Sequence, residues 1–353
     1  MRGFKNVILL LLLVAGIFYV FQDRLITENT VTSLDLLSKS TQTTMEPKTS
    51  PASITSVSRI EGDLYKWIGK QQSELESSLG EPLRRNLSSY GYVWWVYTNR
   101  IDQYIQFGIK DNQIVTIFAT GDGLSIDPIS IGQSYDENDK NFEFDNEVSF
   151  SRASTSYRFK LTTNDMETRP LAQIDTDTFI QFYFDSFAQS LSSIRIVNSE
   201  VLLTQRPYEI FYRGELPEAP LLTSVQWREV ETGMEQQIFD ITNIFRTRFN
   251  RTLLEWDDSA AGVALGHSKD MAENNYFSHY TQTGDGLKER LSANEIYYLS
   301  AGENIAAQYT DGPSAVEGWL NSEGHRDALL KNDYTHLGVG VYKYYYTQNF
   351  LQK

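Results

Sequence analysis

The residues best suited to chemistry in this 353-residue chain are its 4 histidines, all of which lie beyond residue 266. They are His267, His279, His325 and His336, and Glu303 lies between the second and the third. Imidazoles titrate near neutral pH, and together with a carboxylate they transfer protons or bind a metal ion such as zinc. The sequence therefore predicts a binding or catalytic site in the C-terminal third of the chain.

Helices must position several of these side chains. Thr232, followed three residues later by Glu235, has the form of a capping box and predicts the start of a helix. Asp258 and Ser259 are candidate caps of a second helix, and His267 falls on the apolar stripe of that helix. A histidine on such a face is commonly a hydrogen-bonded core residue, so His267 is expected to support the site from behind.

Short motifs follow these helices in a characteristic order. They are Tyr276-Phe277-Ser278-His279, Gly302-Glu303-Asn304-Ile305-Ala306, Gly312-Pro313 at the start of a helix, Ser322-Glu323-Gly324-His325-Arg326, Leu337-Gly338-Val339-Gly340-Val341 and Tyr346-Thr347-Gln348-Asn349-Phe350. With these motifs, residues 235–350 resemble the bacterial branch of the CAP superfamily, which contains cysteine-rich secretory proteins, antigen 5 and plant pathogenesis-related proteins. Residues 59–200 resemble the domain that accompanies CAP domains in some spore-forming bacteria.

The resemblance implies an α-β-α sandwich with a central cleft lined by two histidines and two acids. His279 takes the first histidine position, Glu303 the first acidic position and His325 the second histidine position. The second acidic position holds Ser322 in this chain, which is a departure from the family pattern.

Three interpretations of the cleft remain open at this stage. Two imidazoles and a carboxylate can form a metal site with open positions, and we expect His279, Glu303 and His325 to bind zinc weakly. The same three groups could instead transfer protons, or they could form a buried hydrogen-bond network that fixes the loops. In the network, Asn304 and Arg326 would donate to backbone carbonyl groups. Supporting roles are expected for His267, Asn304 and Ser322.

The resemblance implies an extracellular protein that binds a lipid, a peptide or a cell-wall-associated molecule. The alternative is a hydrolase in which a metal ion or a histidine activates water. Ser268 and Ser278 adjoin His267 and His279, but neither lies in the sharp turn that exposes a nucleophilic serine, so binding is the leading hypothesis.

Composition and the N-terminus predict where the protein acts. A net charge of −15 argues against a nucleic-acid partner, and the absence of cysteine excludes disulfides. Arg2 and Lys5 precede an uncharged apolar segment, residues 7–21, which predicts export. Residues 1–27 are therefore either an uncleaved signal anchor, since no small-residue cleavage site follows, or a cleaved signal peptide. The domains would lie outside the cell, held at the membrane by the anchor or else secreted.

The rest of the chain divides by composition. Residues 28–58 are rich in Ser and Thr and predict a flexible linker. Residues 59–205 contain a helix-like segment at residues 71–79 and aromatic, alternating segments, among them Phe142 with Phe144, that predict a mainly β domain. Asp111-Asn112 predicts a hairpin turn between two of its strands. Ile68-Gly69 and Ile131-Gly132 each precede such a segment, which predicts two related half-units. A proline-containing connector, residues 206–231, leads to the CAP-like domain, residues 232–353, and the fold class is α+β.

Overall fold

The computed structural model describes residues 64–353 except residues 123, 125, 153 and 154. The predicted signal anchor or signal peptide, residues 1–27, and the linker, residues 28–58, lie outside the described residues. Within the described part of the chain, no helix is both long and apolar enough to cross a membrane.

The N-terminal part is built on a seven-stranded antiparallel sheet with the strand order β1-β2-β3-β4-β9-β8-β7. Its strands are β1 Arg84–Leu87, β2 Val93–Thr98, β3 Gln103–Lys110, β4 Gln113–Gly121, β7 Leu171–Gln173, β8 Thr178–Asp185 and β9 Ser190–Asn198. The helices of this part are α1 Gln72–Leu79, α2 Tyr135–Phe142, α3 Thr163–Thr168 and α4 Ser199–Gln205. The prediction of a mainly β domain is confirmed.

The two predicted half-units are visible in the sheet. Gly69 and Gly132 both have positive φ angles, 84° and 94°, at the turns that lead into α1 and α2. The amide of Gly69 donates to the carbonyl of Ile114 on β4, and the amide of Gly132 donates to the carbonyl of Leu191 on β9. Because β4 and β9 are neighbours in the sheet, the two halves meet along its centre.

A second, smaller sheet corrects one of the sequence predictions. It consists of β5 Glu147–Arg152, β6 Thr155–Lys160 and β10 Glu209–Arg213 in the order β10-β6-β5. Residues 206–231 are therefore not a simple connector, since β10 pairs with β6. Phe142, which we expected in a strand with Phe144, ends helix α2; Ser134 caps that helix and forms a capping box with Glu137.

The C-terminal part is the predicted α-β-α sandwich. Its helices are α5 Ser224–Arg248, α6 Asp258–Glu273, α7 Leu287–Ala293, α8 Gly312–Leu320 and α9 Glu323–Leu330. Its strands are β11 Glu255–Trp256, β12 Ser300–Ala307, β13 His336–Tyr342 and β14 Tyr345–Gln352, in the order β11-β13-β14-β12. Leu337, Val339 and Val341 of β13 share a core with α5 and α8. Gly338 and Gly340 alternate with them and face α6, where a Cβ atom would collide with the helix backbone.

The helix starts differ from the sequence predictions. Helix α5 begins at Ser224, where Thr223 and Gln226 form the capping box, and Thr232 lies inside the helix. Gly233, next to Thr232, allows α5 to pack closely against β1. A Cβ atom at residue 233 would lie 2.7 Å from the side chain of Asn86. Asp257 caps α6 in place of Asp258.

One hydrophobic cluster spans the N-terminal and C-terminal parts. A single buried cluster contains Trp94 and Phe118 of the large sheet together with Ile241 of α5 and Trp319 of α8. Buried polar contacts accompany this core, including the pairing of Arg195 on β9 with Asp311 at the start of α8. The two sequence-defined domains therefore pack as one unit across a charged interface.

Candidate ligand cleft

His279 and Glu303 form the centre of the predicted cleft. His279 lies in the loop after α6, and Glu303 lies on β12. Nδ1 of His279 is 2.9 Å from Oε1 of Glu303, and Arg290 of α7 pairs with Oε2 of the same carboxylate. Side-chain exposure differs sharply, at 48% for His279 and 4% for Glu303. The carboxylate is thus buried, whereas the imidazole that it contacts is half exposed to solvent.

Glu303 is held in its ionised form. Burial alone would raise its pKa, but the hydrogen bond from His279 and the charge of Arg290 outweigh burial and keep the pKa below the ordinary value. The amide of Asn349, with its nitrogen oriented toward Glu303, donates to Oε2 over 3.2 Å. Because both carboxylate oxygens already accept hydrogen bonds, Glu303 is suited to orienting His279 and poorly suited to accepting a proton from a substrate.

His325 lies next to His279. The two ring centroids are 6.4 Å apart. Nδ1 of His325 lies 2.9 Å from the hydroxyl of Ser322, the residue at the position where the sequence resemblance implies a second acid. Burial, with a contribution from His279, lowers the pKa of His325 to about 4. His325 is therefore a neutral imidazole at physiological pH.

His267, Asn304 and Arg326 each form a hydrogen bond with a backbone carbonyl group. His267 is buried on α6, and its Nε2 is 2.9 Å from the carbonyl oxygen of Ser278, immediately before His279. Burial lowers the pKa of His267. The Asn304 amide donates to the carbonyl of His325 over 3.0 Å, and Arg326 donates to the carbonyl of Leu320 over 3.0 Å. These bonds fix the segments that carry both cleft histidines.

The structure brings His279, Glu303 and His325 together, but the arrangement is not a closed metal site. Among the residues described, no group of three or more His, Asp or Glu side chains is arranged to hold a metal ion. In this part of the chain, Nε2 of His279 and Nε2 of His325 make no hydrogen bond to protein. The two Nε2 atoms are therefore the groups that fit a metal ion, while Glu303 holds Nδ1, the other ring nitrogen of His279. His336 is not part of this group. It is the first residue of β13, and its Nδ1 contacts the hydroxyl of the preceding residue, Thr335.

Arg290 is the cleft residue that sequence reasoning missed. It donates to the carbonyl of His279 over 2.9 Å and pairs with Glu303, so it fixes the loop and the carboxylate together. In the sequence, Arg290 belongs to a Lys-Glu-Arg run on a short helix, which has the pattern of an exposed face. No local signal distinguishes a buried arginine in such a run.

Comparisons with known proteins agree with this fold. Residues 239–353 match the family model described as the cysteine-rich secretory protein family, and residues 68–208 match the model described as CAP-associated N-terminal. A protein of Bacillus subtilis (strain 168), "Uncharacterized membrane protein YlbC", is 45% identical over 311 residues, covering 87% of this chain and 90% of that protein.

Two solved structures extend the likeness to three dimensions. An extracellular protein containing an SCP domain from Bacillus anthracis str. Ames is 41% identical with a TM-score of 0.79, covering 88% of this chain and 100% of that one. A cysteine-rich secretory protein from Staphylococcus aureus is 25% identical with a TM-score of 0.72, covering 83% of this chain and 93% of that one.

Proposed function

Because the chain belongs to the cysteine-rich secretory protein family and carries a CAP-associated N-terminal domain, we propose that it binds a lipid, a peptide or a cell-wall-associated ligand in the His279–His325 cleft. The observation that carries the proposal is the pair of imidazoles with open Nε2 atoms above a fully engaged Glu303. Such a pair offers fixed polar contacts to a ligand, while the carboxylate that could act as a base is already occupied.

One contact favours the hydrolase alternative. The Ser322 hydroxyl lies 2.9 Å from Nδ1 of His325, which is the distance of a nucleophile paired with its base. However, a pKa of about 4 makes His325 a weak base, and no carboxylate contacts its ring in the described part of the chain. Ser268 and Ser278 are both buried, and Ser268 is bound to the carbonyl of Gly340. The contacts support binding over hydrolysis.

The binding proposal is tested by what the purified full chain carries. Native mass spectrometry of the wild-type protein from cells should show a bound small molecule, and the His279→Ala/His325→Ala variant should lack it. His336→Ala is the matched control, because it removes an imidazole outside the cleft. A bound species that persists in the double variant would place the ligand elsewhere, and loss of an esterase or peptidase activity in Ser322→Ala would favour the hydrolase.

The location of the protein is the second part of the proposal. We place the folded domains outside the cell, tethered to the membrane through residues 7–21. The charge pattern of the N-terminus and the membrane protein of Bacillus subtilis that is 45% identical support this location. Protease added to intact cells should remove the C-terminal domain, and a soluble protein starting shortly after residue 21 would instead indicate a cleaved signal.

Zinc binding by the cleft remains a prediction. We expect weak, exchangeable binding through His279 and His325, with Glu303 as a third ligand only if it leaves Arg290. Calorimetric titration of the full chain with zinc chloride should give a saturable binding curve. The affinity for zinc should fall about tenfold or more in His325→Ala and should be unchanged in His336→Ala. Equal heats from wild type and His325→Ala would place the metal elsewhere, and no heat would leave the hydrogen-bond network as the better account.

A further inference from the structure

The hairpin of β8 and β9, in the N-terminal part, reaches the segment that carries His325. Residues 186–189 form the turn between the two strands. Oδ1 of Asp185 accepts hydrogen bonds from the amides of Phe187 and Ala188, at 3.0 and 2.9 Å, and these bonds fix the shape of the turn. The tip of the hairpin is therefore a well-defined element, and it contacts residues on both sides of His325.

Asn321 precedes the His325 segment and is held by the hairpin. Its side-chain oxygen accepts hydrogen bonds from the amide and the hydroxyl of Ser186, both at 2.8 Å. Its side-chain nitrogen donates to the carbonyl of Phe184 over 2.9 Å. The next residue, Ser322, has its hydroxyl 2.9 Å from Nδ1 of His325. The hairpin therefore fixes the chain directly before the hydroxyl that contacts the imidazole.

Arg326 follows His325 and is held by the same hairpin. Its Nη2 atom is 2.9 Å from Oδ2 of Asp185, and the two side chains are only 13% and 1% exposed. The guanidinium carbon also lies 5.0 Å from the ring centre of Phe187 and 4.7 Å from that of Phe249, at the end of α5. Because water screens a charge pair weakly at a buried site, these contacts restrain Arg326 on the hairpin.

We propose that the β8–β9 hairpin positions the cleft histidine, with Asp185 as a positioning residue that acts on His325 through Arg326. The segment between Asn321 and Arg326 is held at both ends by the N-terminal part. The place of the His325 ring beside His279 therefore depends on a contact between the two parts of the chain. The inference rests on the proposed function, since it takes these two imidazoles as the binding groups.

Nuclear magnetic resonance spectra of the imidazole rings test this inference, because the full chain has only 4 histidines. His325→Ala identifies the signal of His325 by its loss. Asp185→Asn keeps the oxygen that accepts from the turn amides and removes the charge that faces Arg326. In this variant the ring signal of His325 should shift and broaden, because the guanidinium loses its partner and the segment gains freedom. The signals of His267 and His336 should stay in place.

Asp165→Asn is the matched control for this change. Asp165 is also a buried carboxylate that pairs with an arginine, Arg169, and accepts a backbone amide, that of Thr162, but both partners belong to the N-terminal part. The control should leave the His325 signal where it is in wild type. Far-ultraviolet circular dichroism shows whether Asp185→Asn is folded. If it is not, Phe187→Ala replaces it, since Phe187 is half exposed and its loss uncovers the guanidinium without removing a charge.

An unchanged His325 signal in the folded hairpin variant would overturn the proposal. An equal displacement in Asp165→Asn, or displacement of every imidazole signal, would also overturn it, because the effect would then be a general loss of order. The spectra are recorded without any added ligand, so they do not depend on binding. A wild-type protein that carried no small molecule in native mass spectrometry would contradict the binding function, and the position of His325 would still be decided by these spectra.

Discussion

Replacing Asp311 by Ala is expected to lower the free energy of unfolding by about 3–5 kcal/mol, because it leaves a buried arginine without its counter-ion. Arg195 on β9 and Asp311 at the start of α8 are 1% and 4% exposed at their side chains, and their charged groups are 2.8 Å apart. The guanidinium also contacts Gln205 at 3.4 Å, which is neutral and cannot balance its charge. Removing Asp311 therefore destabilises the contact between the N-terminal and C-terminal parts.

A double-mutant cycle separates the ion pair from the helix cap. Asp311 also caps α8 by accepting a hydrogen bond from the amide of Ser314 over 3.1 Å, and Asn caps as well as Asp. Asp311→Asn and Arg195→Met should each destabilise strongly, since each leaves one buried charge alone. The double variant removes both charges and keeps the cap, so it should be more stable than either single variant.

Urea denaturation followed by far-ultraviolet circular dichroism measures these differences. The matched control is Arg158→Met, which breaks the Arg158–Glu147 pair between β6 and β5, where both side chains are more than 40% exposed. That change should cost less than about 1 kcal/mol. If the double variant lost the sum of the two single losses, Arg195 and Asp311 would be acting separately and would not stabilise the interface as an ion pair.

The sequence was most informative where a local pattern determines a local geometry. Asp111-Asn112 predicted a hairpin, and both residues have positive φ angles between β3 and β4. The alternating glycines of Leu337-Gly338-Val339-Gly340-Val341 likewise correspond to a local geometry, the close approach of β13 to α6. The motifs around His279, Glu303 and His325 predicted that these residues lie together, because their types and order resemble a known family, and the three side chains are close in the structure.

Predictions failed where tertiary contacts override a local pattern. Phe142 alternates with Phe144 as in a strand, yet Ser134 caps a helix that ends at Phe142, and both aromatic rings pack on Phe182. Arg195 and Arg290 are charged residues that the fold buries beside acids distant in sequence. Their partners, Asp311 and Glu303, become apparent only once the strands and helices are assembled, so sequence spacing gives no indication of these pairs.

Glu317 is expected to make the free energy of unfolding depend strongly on pH. This glutamate lies on α8, is 3% exposed, and contacts the hydroxyls of Ser192 and Ser193 on β9. Burial raises its pKa to about 7 and outweighs the hydrogen bonds with Ser193 and Ser192, which act to lower the pKa. The geometry independently favours the protonated acid: Ser192 lies within bonding distance of both the Tyr183 carbonyl, at 2.8 Å, and Glu317, at 2.7 Å, but has one proton.

A protonated Glu317 supplies the missing proton: it donates to Ser192, and the Ser192 hydroxyl then donates its own proton to the Tyr183 carbonyl. In the unfolded chain the carboxyl ionises near its ordinary pKa of 4.5, whereas the folded protein keeps the proton until about pH 7. The folded state therefore binds more protons between these values, and its stability falls as the pH rises from 4.5 through 7. The difference corresponds to about 3 kcal/mol in the free energy of unfolding.

Glu317→Gln should remove this pH dependence, because the amide keeps the shape, donates to Ser192 and accepts from Ser193 without a charge. At pH 8 we expect the variant to be about 1–3 kcal/mol more stable than wild type, and at pH 4.5 the two proteins should be nearly equal. Urea denaturation at both pH values measures the difference, with Glu229→Gln on the exposed face of α5 as the control for loss of one negative charge. A Glu317→Gln variant that was less stable than wild type at pH 8 would show that Glu317 is ionised in the folded protein and that its charge stabilises the contact between β9 and α8.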